Sequence, residues 1–350
     1  MFFSTPPNGW LNSYLLHNSY KMKIQNAFII IFLCICFFIF GVLSEKLFFN
    51  KYFLENKLNE NKPYRSHSTE RKFTNPLLDC NPNFTYVNPA IENIIINKIN
   101  ELNKKPSIEK ISVYLRFLNN GAWFGINEKE KFIPASLNKV PLMIAVFKFS
   151  EAYPEVLKKT FFFDETLGVF SEMSPAKTAT GQKNYNLFDL VEYMIIHSHN
   201  ETAEFLYDFI NNHKKEFVES VFLDLGIEAP QKGKTYQITT KDFASFFRVL
   251  YNSTYINEKN SETALYYLSE TDFNEGIVKG IDDNIIISHK YGQISDDKLM
   301  QLHDCGIVYF PDNNYILCVM VKGYNLKNMT SVIQEISKTV YTEIKKTNDR

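Results

Sequence analysis

The chain has no surplus of positive charge: 38 lysines and arginines stand against 39 aspartates and glutamates, for a formal net charge of −1. Nucleic-acid binding needs clustered basic side chains to neutralise phosphates, so composition lends it no support. Cysteine is scarce as well. Five are present, Cys34, Cys36, Cys80, Cys305 and Cys318; the first two lie in an apolar run, and the other three show no metal-ligand spacing. Cys305 and Cys318 flank a hairpin, where a disulfide is open. Burial as free thiols is the expected state, since a buried cysteine behaves as a small hydrophobe. No internal repeat and no low-complexity tract occurs, which excludes a solenoid or a compositional linker protein. What remains is ample for a real core: 350 residues, 45% of them hydrophobic.

One stretch lacks charge entirely. Residues 27–43 read "AFIIIFLCICFFIFGVL", which as a helix would span about 26 Å, close to the ~30 Å hydrocarbon core of a bilayer. A helix of a soluble domain keeps a polar face, and this run has none, so it is read as a transmembrane anchor. Lys21 and Lys23 precede it as in an export signal, and Met22 is an alternative start. Cleavage after "VLS" would need a clearer small-residue pattern, so the anchor is expected to stay. Lys46 and Lys51 blunt the positive-inside argument, yet a large following domain is translocated regardless of such charges. The expected organisation is an N-terminal segment 1–26, the anchor 27–43, a polar juxtamembrane linker 44–75, and a folded domain 76–350.

Within that domain, Ile91, Ile94, Ile95, Ile99 and Leu102 mark one face of a helix. Ile111, Val113, Leu115 and Phe117 alternate as a strand, "NNG" turns, and "AWFGIN" supplies a second strand. Three more strands come late, in "NIIISHKYG", "CGIVYF" and "YILCVMVKG". Met329, Ile333, Ile336, Val340 and Ile344 make a C-terminal amphipathic helix. Residues 135–280 between the strand groups read as helical. The predicted fold is α/β (α+β): a five-stranded antiparallel sheet built from both chain ends, terminal helices flanking it, and an inserted all-helical lobe with a cleft between.

Three short motifs fall at that cleft. Ser136 and Lys139 open the first helix of the lobe in "PASLNKV", Ser198-His199-Asn200 joins two helices, and Lys290-Tyr291-Gly292 ends a strand. Ser-x-x-Lys alone is weak, for it also begins at Ser107, Ser174 and Ser295. Ser136 by itself could simply start a helix. Ser198-His199-Asn200 could be a plain turn, and Lys290 a solvated charge. Their order is what singles them out: Ser-x-x-Lys, Ser-x-Asn, Lys-x-Gly, with steps of 62 and 92 residues.

That order resembles the penicillin-recognising serine hydrolases, most closely the class A β-lactamases. The likeness runs from about residue 75 to the end, through "LRFLNNGAWFGINEKEKFIPASLNKVPLMIAVFK", "LVEYMIIHSHNETAEFL" and "HDCGIVYFPDNNYILCVMVKG". It implies a β-lactamase/transpeptidase-like fold and an acyl-serine mechanism with no metal and no cofactor. Ser136 would attack an amide carbonyl, Lys139 would take its proton, and Ser198 would pass one to the leaving nitrogen. Asn200 would hold the substrate's side-chain amide, and Lys290 its carboxylate. The backbone N–H groups of Ser136 and Gln293 would form the oxyanion hole, with Gly292 allowing close approach of the substrate.

Three departures qualify the likeness. His199 replaces an acidic residue, Tyr291 replaces a small hydroxyl residue, and no Glu-x-x-Leu-Asn stretch lies between Ser198 and Lys290. In class A enzymes that glutamate activates the deacylating water; here only Glu228, in "LGIEAPQKGKTYQ", stands near the expected place. The resemblance therefore implies opening of β-lactam amides through acyl-Ser136, with slow deacylation. A D-alanyl-D-alanine-type cell-wall peptidase (a penicillin-binding protein) is the alternative, and a catalytically dead wall-peptide binding module is another. A zinc hydrolase using His197, His199, His289 and His303-Asp304 is the outside reading. The partners implied are a β-lactam or a peptidoglycan stem peptide, with the membrane reached through residues 27–43 and the catalytic domain outside the cytoplasm.

Overall fold

The computed structural model describes residues 64–65, 71–79, 87–164, 169–172, 184–295 and 299–348. The anchor expected at 27–43 lies outside them. Among the described residues, no helix is long and apolar enough to cross a membrane.

Alternating apolar residues do form strands at both ends of the domain. β1 (Ile108–Phe117) and β2 (Trp123–Ile126) come first; β3 (Ile287–Ser295), β4 (Met300–Val308) and β5 (Tyr315–Gly323) come last. They make one antiparallel sheet in the order β3-β4-β5-β1-β2, joined across the chain ends by pairs such as Val319 with Val113. The helices are α1 (Pro89–Leu102), α2 (Lys139–Ala152), α3 (Leu187–Ile196), α4 (Asn200–His213), α5 (Phe217–Asp224), α6 (Thr240–Tyr251), α7 (Glu258–Ser269) and α8 (Leu326–Asn348).

Because strand side chains alternate between faces, the sheet separates two cores. Val113, Leu115, Leu317 and Val319 pack with Ile95 and Ile99 of α1 and Ile333 and Ile336 of α8. Ile307, Ile316 and Met320 point the other way, into the lobe. Of the residues expected on the inner face of α1, Ile94 alone stays exposed. At the centre of the lobe lies α2, apolar on nearly every side and buried from Lys139 to Phe147, as a helix without a polar stripe must be.

Three expectations need correction. The lobe is not all helical: Phe161–Asp164, Val169–Glu172 and Asn184–Tyr185 form a small sheet. The aromatic run supplies its β-propensity, and Phe161 is buried against the rings of Phe205 and Phe209. Cys305 and Cys318 are joined as a disulfide; they are register partners on β4 and β5, which sets both side chains side by side on one face. Finally, the folded unit reaches back into the segment read as linker. Glu262 accepts the backbone N–H groups of Lys72, Phe73 and Thr74 at 2.6, 2.8 and 2.8 Å, and Phe73 is buried.

Candidate active site

Ser136 sits in a short 3-10 turn, Ala135–Asn138, leading into α2. No side chain caps either the turn or the helix there, so Ser136 is not a helix cap. Its Oγ instead accepts a hydrogen bond from Lys139 Nζ at 2.9 Å, and the same amine donates to Asn200 Oδ1 at 2.7 Å. The i,i+3 spacing on one helical face makes the first contact local; the second is tertiary. Burial pulls the Lys139 pKa down to about 8, against the opposing pull of the Glu201 carboxylate. Roughly one such lysine in ten is then neutral at pH 7 and able to accept a proton.

The backbone is strained on both sides of the cleft. Ala135, just before Ser136, has φ of 51°, and Ser198 has φ of 54°, left-handed values that non-glycine residues adopt at a cost and that cluster at functional sites. Ser198 lies in the turn from α3 to α4. His199 caps α4: its Nδ1 accepts from the Thr202 N–H at 3.3 Å, and its Nε2 faces Glu201 Oε2 at 3.3 Å. The imidazole, standing where an acidic residue was expected, thus does the capping work of a short polar side chain.

β3 is the edge strand beside the nucleophile turn. A Cβ at Gly292 would come within 2.4 Å of the Pro134 carbonyl oxygen and 3.1 Å of the Leu137 nitrogen. Gly292, expected to admit a substrate, also lets the protein's own Pro134–Leu137 backbone pass close by. Lys290 is fully buried, and its ammonium has no hydrogen-bond partner among the described residues. It lies 4.5 Å from the centroid of the Tyr291 ring. Burial first, then repulsion from Lys139, lower its pKa to about 7, while Asp304 and Asp272 resist. Tyr291 in turn stacks on Phe273 at 4.0 Å and 18°, so an aromatic wall stands where a small hydroxyl was expected.

A cavity of about 650 Å³ brings together Ser136, Lys139, Asn200 and Gln293. Ser198 and Lys290 are not among its lining residues, and neither is Glu228. The Glu228 carboxylate is exposed and pairs with Lys131 at 3.0 Å. The lining includes a different acid, Glu204, which sequence reading passed over. Its signal was there: Glu204 follows Asn200 by four residues, one turn along the same face. The histidines weighed as metal ligands are dispersed among separate partners. His197 meets Asp272 at 2.6 Å, His289 meets Asp304 at 2.8 Å, and His303 Nε2 donates to the Ile133 carbonyl at 3.0 Å.

A sequence model described as the beta-lactamase enzyme family matches residues 94–344, a span holding all three motifs. The chain belongs to the beta-lactamase enzyme family. Solved structures agree on the fold. A class A beta-lactamase representative from Bacteroides cellulosilyticus DSM 14838 superposes with a TM-score of 0.62 at 18% identity, covering 73% of this chain and 99% of that one. A beta-lactamase from Chitinophaga pinensis DSM 2588 gives 0.61 at 18%, covering 71% and 99%. A PBP-A mutant, solved as an acyl-enzyme complex with penicillin G, gives 0.61 at 20%, covering 73% and 97%. No curated protein sequence matches the chain. This beta-lactamase family member therefore has a β-lactamase-like serine hydrolase fold, with the Ser136–Lys139–Asn200 hydrogen-bond chain at its cavity.

Proposed function

We propose that this protein opens β-lactam amides by forming an acyl ester on Ser136. The observation that carries the proposal is the chain from Ser136 Oγ through Lys139 Nζ to Asn200 Oδ1, at 2.9 and 2.7 Å, beside a cavity large enough for a small amide substrate. The neutral fraction of Lys139 takes the Ser136 proton as Oγ bonds to the carbonyl carbon. Ser198 delivers a proton to the departing nitrogen as the C–N bond breaks. The N–H groups of Ser136 and Gln293 stabilise the oxyanion. Lys290, buried without a hydrogen-bond partner among the described residues, keeps its donors for Ser198 and sets a positive potential for a substrate carboxylate.

The same chemistry on a peptidoglycan stem peptide would make the protein a D-alanyl-D-alanine-type peptidase. The likeness to PBP-A and the position of Glu228 outside the cavity favour keeping that reading second. A dead binding module would have no use for a lysine depressed to about 8 against a serine hydroxyl. We include in the proposal an extracytoplasmic position. The Cys305–Cys318 disulfide supports it, because such bonds persist in oxidising compartments.

Intact-mass spectrometry after exposure to a penicillin tests the reading. A single added acyl group is expected, absent from Ser136→Ala. An adduct that survives Ser136→Ala would sink it.

A further inference from the structure

We propose that Glu204 is the general base that activates the water for deacylation of Ser136, an inference that rests on the acyl-serine reading. Among the described residues, Glu204 is the one carboxylate lining the Ser136 cavity, and it is open to solvent there. It stands one turn after Asn200 on α4. Side chains on a helix lean toward its N-terminus, so this carboxylate is carried back toward Asn200. From there the polar chain runs to Lys139 and Ser136 in two hydrogen bonds of 2.7 and 2.9 Å.

Neighbouring acids are committed elsewhere. Glu201 faces His199 at 3.3 Å, Glu219 accepts from Tyr207 Oη at 2.5 Å, and Glu228 pairs with Lys131 at 3.0 Å. No ion pair among the described residues engages Glu204. Leu142, Val218, Phe222 and Pro230 give the same cavity apolar lining. A water in this cavity needs two to four polar partners, and Glu204, Asn200 and the ester itself supply them. The sequence expectation of slow deacylation considered Glu228 alone.

The step balances as follows. Glu204 takes a proton from water as the water oxygen bonds to the ester carbon. The tetrahedral oxyanion collapses, the bond from carbon to Ser136 Oγ breaks, and the proton returns from Glu204 to Oγ through the Lys139 amine. The acyl group leaves as a carboxylic acid, and Ser136, Lys139 and Glu204 regain their starting states.

Time-resolved intact-mass measurements on the full chain with penicillin G test this, using wild type, Glu204→Gln, Glu204→Asp and Glu228→Gln. Loss of a general base costs about 10²–10⁴-fold. Glu204→Gln should therefore acylate at nearly the wild-type rate yet retain its adduct at least ~100-fold longer. Glu204→Asp should recover part of the loss, and Glu228→Gln should match wild type. A wild-type adduct as persistent as that of Glu204→Gln would overturn the assignment and leave the acyl-serine reading standing. If neither protein forms a Ser136 adduct, both fail.

Discussion

At the scale of single residues, two lysines set the electrostatics of the site. Lys139 and Lys290 are both buried, and the Lys139 ammonium adds to the cost of charging Lys290. Burial first and this repulsion second lower the Lys290 pKa from 10.5 to about 7. The sign of the linkage follows from proton counting. Between pH 7 and 10.5 the unfolded chain keeps a proton on Lys290 that the folded chain has shed, so stability rises with pH across this window. Below pH 7 the folded protein bears the full burden of a buried charge. Lys290→Met should therefore unfold at a higher temperature than wild type at pH 6, with the advantage shrinking steadily toward pH 10. Thermal melts at pH 6, 8 and 10 check this. An advantage that grew with pH would mean that the charged form is the one the fold prefers. Such a substitution belongs to the exchange of activity for stability common at catalytic centres.

At the scale of elements, the decisive contact is β3 against the turn that carries Ser136. Gly292 permits it, because any Cβ there would strike the Pro134 carbonyl at 2.4 Å, backbone that cannot swing aside as a side chain can. Gly292→Ala should cost about 1–3 kcal/mol, the usual range for overpacking. It should slow Ser136 acylation at least ~10-fold, since small misplacements of a reacting group carry large rate penalties. Chemical denaturation and the rate of penicillin labelling are the measurements. Unchanged labelling would mean that the turn and the strand need not touch for catalysis. The turn between α3 and α4 is a second such element: Ser198 holds a left-handed conformation while His199 caps the next helix.

At the scale of the whole molecule, the domain begins earlier than its hydrophobic pattern suggested. Phe73 is 4% exposed and meets Tyr309 edge-on at 5.5 Å between centroids, while Glu262 gathers three consecutive N–H groups beside it. Truncating a buried phenylalanine typically costs about 3–5 kcal/mol. Phe73→Ala should therefore lower the denaturant midpoint by an amount of that order, with Ser136 labelling retained under native conditions. A variant as stable as wild type would return residues 71–75 to the linker.

Much of this architecture was legible in the sequence because its causes are local. Period-two alternation in "KISVYLRF" and "YILCVMVKG" marked strands, and the faces of α1 and α8 were written at helical spacing. The contact of Ser136 with Lys139 follows from three residues of helix. Other features depend on residues far apart in the chain, and no local period encodes them. Which acid lines the cavity was decided by how α4 packs against α2, leaving Glu204 among the lining residues and Glu228 to Lys131. Register between β4 and β5 brought Cys305 and Cys318 together. Docking on Glu262 turned a polar stretch around Phe73 into part of the core. Spacing along the chain determines which side chains share a face of one element; only packing between elements determines what that face meets.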